Sequence, residues 1–252
     1  MDITSESKQI KIDINVDLGE GIGNENDIMP LIASCNIACG GHAGNPALIE
    51  EVILLAKKHA VKIGAHPSFP DKQNFGRAAI DISPRKLYET IKNQIDVVYK
   101  TAKRFDLRMH HVKPHGALYN LAAKHKSTAK IIVDVIKSFD DPIKLYVPPN
   151  SKIAAVALSE NIPFCFEAFI DRGYTNNYSL VPRNQPHALL TNIEDIISHS
   201  MRMILREKIK TVSGKLLDLK ADTFCIHGDN PEVIAILKAL TRELKKHNIC
   251  IQ

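Results

Sequence analysis

The chain has 252 residues, 44% of them hydrophobic and 24% charged, with a formal charge of +5, a composition ordinary for a globular protein able to bury a large core. The basic excess is spread out, much of it on helix-face lysines such as Lys57, Lys58, Lys245 and Lys246, and Trp is absent. That excludes the clustered charge and interleaved aromatics of a nucleic-acid surface, and no apolar run is long enough for a membrane span. Met1 to Gln9 lack the apolar core of a signal peptide, and the five Cys, odd in number, suit buried thiols of a reducing compartment. The expected location is the cytoplasm. No Pro/Gly/Ser-rich linker divides residues 1–252, so one domain is expected, with residues 1–9 as a flexible tail.

Ile10 to Leu18 alternates apolar Ile10, Ile12, Ile14 and Val16 with polar Asp13, Asn15 and Asp17, the period of a strand. A strand whose second face carries Asn15 and Asp17 suits the lining of a barrel mouth, and Glu20 follows after the Gly19 turn. The Gly- and Asn-rich loop Gly19 to Met29 is expected to close over a ligand. Ile32 to Ala38 is a second strand, running into Gly40-Gly41-His42, and Asn45-Pro46 reads as a helix cap followed by a first-turn proline, opening a helix to about Ala60. Cys35 and Cys39 would lie roughly 13 Å apart on an extended strand and are discounted as a metal pair.

Val61 to Pro67 is a third strand ending in His66, followed by a loop with Asp71 and Arg77, and Ser83-Pro84 opens a long helix to Phe105. Met109 to Lys113 is a fourth, delivering Lys113 and His115, with a helix over Ser127 to Ser138 beyond. Ile143 to Val147 is a fifth, after which Asn150 is expected to cap a helix to about Leu158. Pro163 to Phe169 is a sixth, carrying Glu167 into Asp171-Arg172-Gly173-Tyr174, and the long polar loop to Pro186 suggests a functional lid. Thr191 and Glu194 have capping-box spacing for a helix to about Glu207, and Val212 to Lys215 reads as a hairpin turn. Thr223 to Ile226 is the seventh strand, ending at His227-Gly228-Asp229, and Pro231 opens the last helix.

Seven strands alternating with helices predict an α/β fold with a parallel sheet. Because every strand except the fifth ends in a charged, imidazole or amide group, a closed barrel with one common mouth accounts for the pattern better than an open sheet. His42, His66, His115 and His227 then meet Asp17, Glu167, Asp171 and Asp229. Two chemistries remain open. An Asp with two or three His, here Asp17, His42, His66 and His115, suits Zn2+ or a related divalent metal with an open position. Alternatively a carboxylate activates water without metal while Lys113 or a histidine stabilises developing negative charge. Arg77, Arg172 and Arg183 sit in loops with geometry to clamp a carboxylate or phosphate, and Tyr119 and Tyr174 wall the pocket or transfer protons.

The blocks Asn15-Val16-Asp17-Leu18-Gly19-Glu20, Asn36-Ile37-Ala38-Cys39-Gly40 with His42-Ala43-Gly44, Gly64-Ala65-His66-Pro67, Phe75-Gly76-Arg77, Lys113-Pro114-His115-Gly116-Ala117-Leu118-Tyr119-Asn120, Asp171-Arg172 with Tyr174, and His227-Gly228-Asp229 together resemble the LamB/YcsF family, in order and over nearly all of the chain after residue 10. The resemblance implies a distorted seven-stranded β/α barrel of the glycoside hydrolase and deacetylase kind. It also implies ATP-dependent cleavage of 5-oxoproline to L-glutamate, as the A subunit beside B and C subunits. On that basis Asp17, Lys113, Glu167 and His115 are assigned to catalysis. Asn15, Glu20, Asn36, His42, His66, Arg77, Tyr119, Asp171, Arg172, His227 and Asp229 are assigned to substrate binding. ATP with its Mg2+ is held here or on a partner subunit, since the chain has no G-x4-G-K-[ST] loop. Asn45 and Ala78 stand where the family usually has Asp and Arg, the second removing a cation near the mouth. A metal-dependent deacetylase-like hydrolase of C–N bonds and a non-catalytic barrel binding a small acid are the alternatives.

Overall fold

The structure, a computed structural model, describes residues 9–252, and the expected tail lies, but for its last residue, outside the described residues. Strands β1 (Ile10–Leu18), β2 (Ser34–Ala38), β3 (Lys62–His66), β4 (His111–Val112), β5 (Lys144–Val147) and β6 (Phe164–Phe169) follow one another in space as in sequence, all parallel. A short antiparallel hairpin, β7 (Lys208–Lys210) and β8 (Leu216–Asp218), stands apart, its turn at the expected Val212 to Lys215. Strand β9 (Thr223–His227) then pairs with β6 on one side and with β1 on the other, closing a seven-stranded barrel. The last strand, β10 (Ile249–Ile251), was not expected. It pairs with Ile10 to Ile12 of β1, below the point at Asp13 where β9 takes over.

Closure decides which way β1 faces. Ile14, Val16 and Leu18 turn outward and are buried under the helices, while Asn15 and Asp17 alternate into the barrel, as the period of two requires. The lower interior is a polar layer: Asp13 Oδ1 accepts from Ser34 Oγ and from Thr223 Oγ1, both at 2.7 Å, and Asn15 Nδ2 donates to Thr223 Oγ1 at 2.8 Å. The apolar core therefore lies between barrel and helices. Its outer wall is supplied by faces such as Ile49, Val52, Ile53 and Ala56 of α2 (Pro46–His59) and Leu87, Ile91, Ile95 and Val98 of α3 (Pro84–Arg104), at the spacing of an amphipathic helix. Among the described residues no helix is long and apolar enough to cross a membrane.

Helix starts follow local chemistry, with some one-residue shifts. Asn45 Oδ1 accepts from Leu48 N at 3.0 Å and Ser83 Oγ from Lys86 N at 3.3 Å, as expected. Helix α6 (Lys152–Ser159) is capped by Ser151 instead of Asn150, which takes φ 57° in the preceding turn. Helix α7 (Ile193–Arg206) is capped by Asn192, so the Thr191/Glu194 pattern lies one residue early. The final helix, α8, begins at Val233 and runs to Lys246, two residues beyond Pro231. Four helical stretches were not expected: α1 (Glu25–Ile28) inside the Gly-rich loop, the 3-10 turn Met29–Leu31 that follows it, α4 (Gly116–Lys124) directly after His115, and the turn at Lys126 that starts α5 (Lys126–Lys137) early.

Helix α7 buries His199 beside Tyr174, with Nε2 lacking a hydrogen-bond partner. Burial, and then Arg202, push its pKa down to about 4. The unfolded chain gains this proton near pH 6.5 and the folded chain only near 4, so stability is full above pH 6.5 and falls between those values. The span corresponds to ~3 kcal/mol at most. Melting curves from pH 8 to 4 should show a shallower acid loss for His199→Leu than for the parent; parallel curves would show that His199 gains its proton as readily in the fold as in the unfolded chain.

Candidate active site at the barrel mouth

Lys113 extends from the end of β4 into the barrel and is only 2% exposed. Its Nζ lies 2.9 Å from Asp17 Oδ1 and 3.0 Å from Glu167 Oε1, the second without hydrogen-bond alignment, and it also donates to Cys225 Sγ at 2.9 Å. Burial opposes the charge of Lys113, but Asp17 first and Glu167 also hold its pKa well above the ordinary lysine value. Burial likewise pushes Asp17 up, yet His66, whenever its Nε2 also carries a proton, and Lys113 outweigh it and hold the carboxyl well below its usual range. Asp17 is therefore a fixed anion and a weak base. Both Glu167 oxygens and Tyr119 Oη are buried without hydrogen-bond partners, so the floor keeps its free acceptors on Glu167.

Three imidazoles pack beside this floor. His42 stacks on His115 at 3.8 Å between centroids, and His66 meets both edge-on. His66 Nδ1–H donates to Lys113 O at 2.7 Å and His115 Nε2–H donates to Phe75 O at 2.9 Å. Each carbonyl fixes one N–H, so when both rings are neutral His66 Nε2 and His115 Nδ1, 2.9 Å apart, face one another as lone pairs. Asp17 Oδ2 lies 3.3 Å from His66 Nε2, and Glu20 Oε1 lies 3.2 Å from His42 Nε2 and 3.9 Å from His115 Nδ1. Such a convergence of electron pairs calls for a cation. Donor atoms of Glu20, His42, His66 and His115 all lie within 4.8 Å of one another. Glu20 thus takes the place expected for Asp17, whose Oδ1 is committed to Lys113 and Asn36. Burial, then Asp17, push Glu20 up to about 7, and burial pushes His42 down to about 4 and His115 well down, the behaviour of donors lacking a compensating charge.

The mouth above is a cavity of about 780 Å3, lined by Asp17, His66, Lys113, His115, Tyr119, Glu167 and His227 at its base and by Arg77, Arg172 and Arg183 higher up. The remaining expected residues support these from behind. Asp171 Oδ2 lies 2.9 Å from His227 Nδ1 and also accepts its backbone N–H, orienting the ring. Asp229 accepts from Arg77 Nη2 at 2.7 Å. Asn15 and Asn36 are fully buried below the cavity, so neither reaches a ligand there. Arg172 gives Nε to Ala188 O at 2.9 Å and Nη2 to Val181 O at 2.7 Å. It pins the polar loop across the mouth as well as lining it. The Gly-rich loop is likewise anchored, through Asn24 Nδ2 to Gly228 O and Gly19 N to Glu25 Oε1.

The sequence reading overlooked His111, Thr223 and Cys225, all inside the barrel. Each stands two residues from a residue it did single out, Lys113 or His227, or four in the case of Thr223, and alternation alone placed them on the same face. His111 Nε2 lies 2.7 Å from Asn36 Oδ1, so His111 donates and Asn36 Nδ2 must turn toward Asn15 and Asp17, at 2.7 and 2.8 Å. Room for His111 comes from Gly64, where a Cβ would stand 2.2 Å from His111 Nε2. Gly64→Ala should therefore cost about 1–3 kcal/mol by overpacking, read as a lower melting temperature. An unchanged melt would mean that the ring has room to move.

Residues 12–252 match the model of the LamB/YcsF family. The 5-oxoprolinase A subunit of Limosilactobacillus fermentum is 39% identical over 96% of this chain and 98% of its own, and that of Pyrococcus horikoshii 36% over 96% and 97%. The crystal structure of the lactam utilization protein from Thermus thermophilus superposes with a TM-score of 0.90 at 35% identity, covering 96% of this chain and 99% of the other. A putative cellobiose-phosphate cleavage protein from Enterococcus faecalis, at 13% identity and a TM-score of 0.60 over 97% of both chains, shares the barrel alone. With the match running from the first barrel strand to the last residue, and over a third of positions shared along full-length relatives, this chain belongs to the LamB/YcsF family.

Proposed function

We propose that the chain is the cytoplasmic A subunit of an ATP-dependent 5-oxoprolinase, opening 5-oxo-L-proline to L-glutamate together with B and C subunits. The observation that carries this reading is the buried floor, where Glu167 Oε1 stands 3.0 Å from a buried, charged Lys113 and neither Glu167 oxygen accepts an aligned hydrogen bond. An unstrained lactam is a poor electrophile, and phosphorylation of its carbonyl oxygen by ATP makes it a good one. Glu167 then takes a proton from water as the water oxygen bonds to the ring carbonyl carbon, breakage of the C–N bond leaves an acyl phosphate, and a second water releases its phosphate to give L-glutamate. The Lys113 ammonium offsets the negative charge of the phosphorylated oxygen. The ring nitrogen must leave protonated, and His227, aligned by Asp171 and facing the cavity, is placed to supply that proton. Asp17, a weak base here, serves instead to hold Lys113 and His66 in place.

The set Glu20, His42, His66 and His115 fits a divalent ion such as Zn2+. The fit rests on the facing lone pairs of His66 and His115, each ring held by a backbone carbonyl. Bound there, such an ion would polarise an oxygen of substrate or water. Protein purified without chelator should carry about one metal per chain, lost in His66→Gln, and added Zn2+ should raise the melting temperature of the parent alone. Metal-free parent protein with no thermal response to Zn2+, Mn2+ or Ni2+ would remove the ion from this reading.

Lys113→Met is expected to damage folding as well as activity, because it leaves Asp17 and Glu167 buried without their cation, a loss of about 3–5 kcal/mol. Glu167→Gln is the cleaner probe. It removes one of two carboxylates facing a single ammonium, so its melting temperature should hold or rise while reconstituted activity falls at least about 100-fold. A Glu167→Gln assembly as active as the parent would take Glu167 out of the reaction. The purified chain alone should neither open 5-oxoproline nor hydrolyse ATP in response to it, and addition of B and C subunits should bring both activities together. Rapid ATP-coupled glutamate formation by this chain alone would overturn the partner requirement.

A further inference from the structure

Below the floor, the strand that delivers Lys113 carries a buried imidazole that the proposed reaction does not use. His111 is enclosed in the barrel and stacked on Tyr146 at 3.9 Å between centroids and 6° between planes, so its ring plane is fixed. Its Nε2 lies 2.7 Å from Asn36 Oδ1 and its Nδ1 lies 3.2 Å from His110 Nδ1. Burial pushes the pKa of His111 well below the usual range, and burial, then Lys144, push His110 down to about 4. Each ring is therefore neutral at neutral pH and carries one N–H. Asp17, an anion, only accepts, so the Asn36 atom facing it is the amino nitrogen and the atom facing His111 is the oxygen. The proton of His111 then lies on Nε2, and its Nδ1 accepts from His110 Nδ1–H. A one-way chain results. His110 donates to His111, His111 to Asn36, and Asn36 Nδ2 to Asn15 Oδ1 and Asp17 Oδ1 at 2.7 and 2.8 Å. It ends on the carboxylate oxygen that also receives Lys113 Nζ at 2.9 Å.

We propose that His111 is a positioning residue, whose Nε2–H locks the Asn36 amide with its amino group on Asp17 and so holds the Asp17 carboxylate, and through it Lys113, in place at the floor. A side chain at 111 without that donor leaves Asn36 Oδ1 buried and unpaired. The amide then gains by rotating toward other donors, and rotation sets its oxygen against Asp17 Oδ1 and Asn15 Oδ1, two acceptors that repel it. Asp17 loses a donor, and Lys113 loses a fixed partner. Gly64 keeps clear the space of that one nitrogen, since a Cβ there would stand 2.2 Å from His111 Nε2. The effect on turnover rests on the oxoprolinase reading; the placement of Lys113 is measured on the chain alone.

The experiment is NMR of the full chain with 15N-labelled histidine and lysine side chains, followed by turnover in the assembly with B and C subunits. In the parent, the His111 proton is expected on Nε2 and the Lys113 ammonium as a sharp, slowly exchanging signal. His111→Phe, which keeps the stack on Tyr146 but has no donor, should broaden or shift the Lys113 signal. His111→Gln, whose side-chain nitrogen falls where Nε2 stands, should restore it. Assayed below its melting temperature, the His111→Phe assembly should lose about 10- to 100-fold in kcat at an unchanged KM for 5-oxoproline, and His111→Gln should recover part of that loss; a purely packing role would lower the melting temperature and leave kcat alone. A parent His111 proton on Nδ1, a Lys113 signal that His111→Phe leaves unchanged, or a His111→Phe assembly with the parent's kcat would overturn the role of His111. A parent assembly without turnover would count against the oxoprolinase reading alone, and the Lys113 signal would then decide the role of His111.

Discussion

The mouth depends on one buried cation. Lys113, 2% exposed, sits between Asp17 and Glu167, and removing such an ion from solvent costs several kcal/mol unless its partners are close and well placed. Both partners are therefore constrained. Asn36 and His66 hold Asp17, and the β6–β9 pairing that sets Glu167 opposite Thr223 holds the second carboxylate. Two carboxylates against one ammonium leave the floor with an excess of acceptor capacity. That excess resides on Glu167, the carboxylate that the proposed reaction uses to activate water, while Asp17 holds Lys113.

The histidine cluster extends the same logic. Backbone carbonyls of Lys113 and Phe75 choose the tautomers of His66 and His115, so two hydrogen bonds are committed to placing two lone pairs 2.9 Å apart. This arrangement opposes itself without a positive charge between the rings. The short Phe75-Gly76-Arg77 segment serves three parts of the mouth at once. The Phe75 carbonyl orients His115, the Gly76 carbonyl accepts from Ala117 at the start of α4, and Arg77 reaches Asp229 on the rim. Gly76, at φ 63°, adopts a left-handed turn with His42 Cβ 3.0 Å from where its own Cβ would lie, and only glycine does this without strain.

From floor to rim the balance of charge reverses. Carboxylates and lone pairs dominate the depth, whereas guanidiniums dominate the outside. A ligand with a neutral reacting group at one end and an anionic group at the other would be oriented by that gradient alone, before any specific contact forms. The loop pinned by Arg172 preserves the gradient, since it keeps a buried guanidinium at the boundary between the two zones.

Much of this was determined by sequence through local physics. Alternation along β1 put Asp13, Asn15 and Asp17 on one face, the Asn45-Pro46 and Ser83-Pro84 pairs marked helix starts, and strand-end histidines announced a shared mouth. These features depend on neighbours a few residues away and are read from neighbours. The same alternation also held the positions of His111, Thr223 and Cys225, which were legible but unread. Other features were decided only by folding, because they depend on residues far apart in the chain. Closure of β9 against β1 set Asp17 beside His227, and Lys113 met Asp17 across 96 positions. Glu20 joined the imidazoles in place of Asp17, and Asp171 turned to His227. Arg172 was turned largely into a structural pin. Sequence supplied the chemical types and the face each would occupy; which nitrogen bears a proton, which carboxylate stays free and which cation is buried follow from three-dimensional neighbours and the water they exclude.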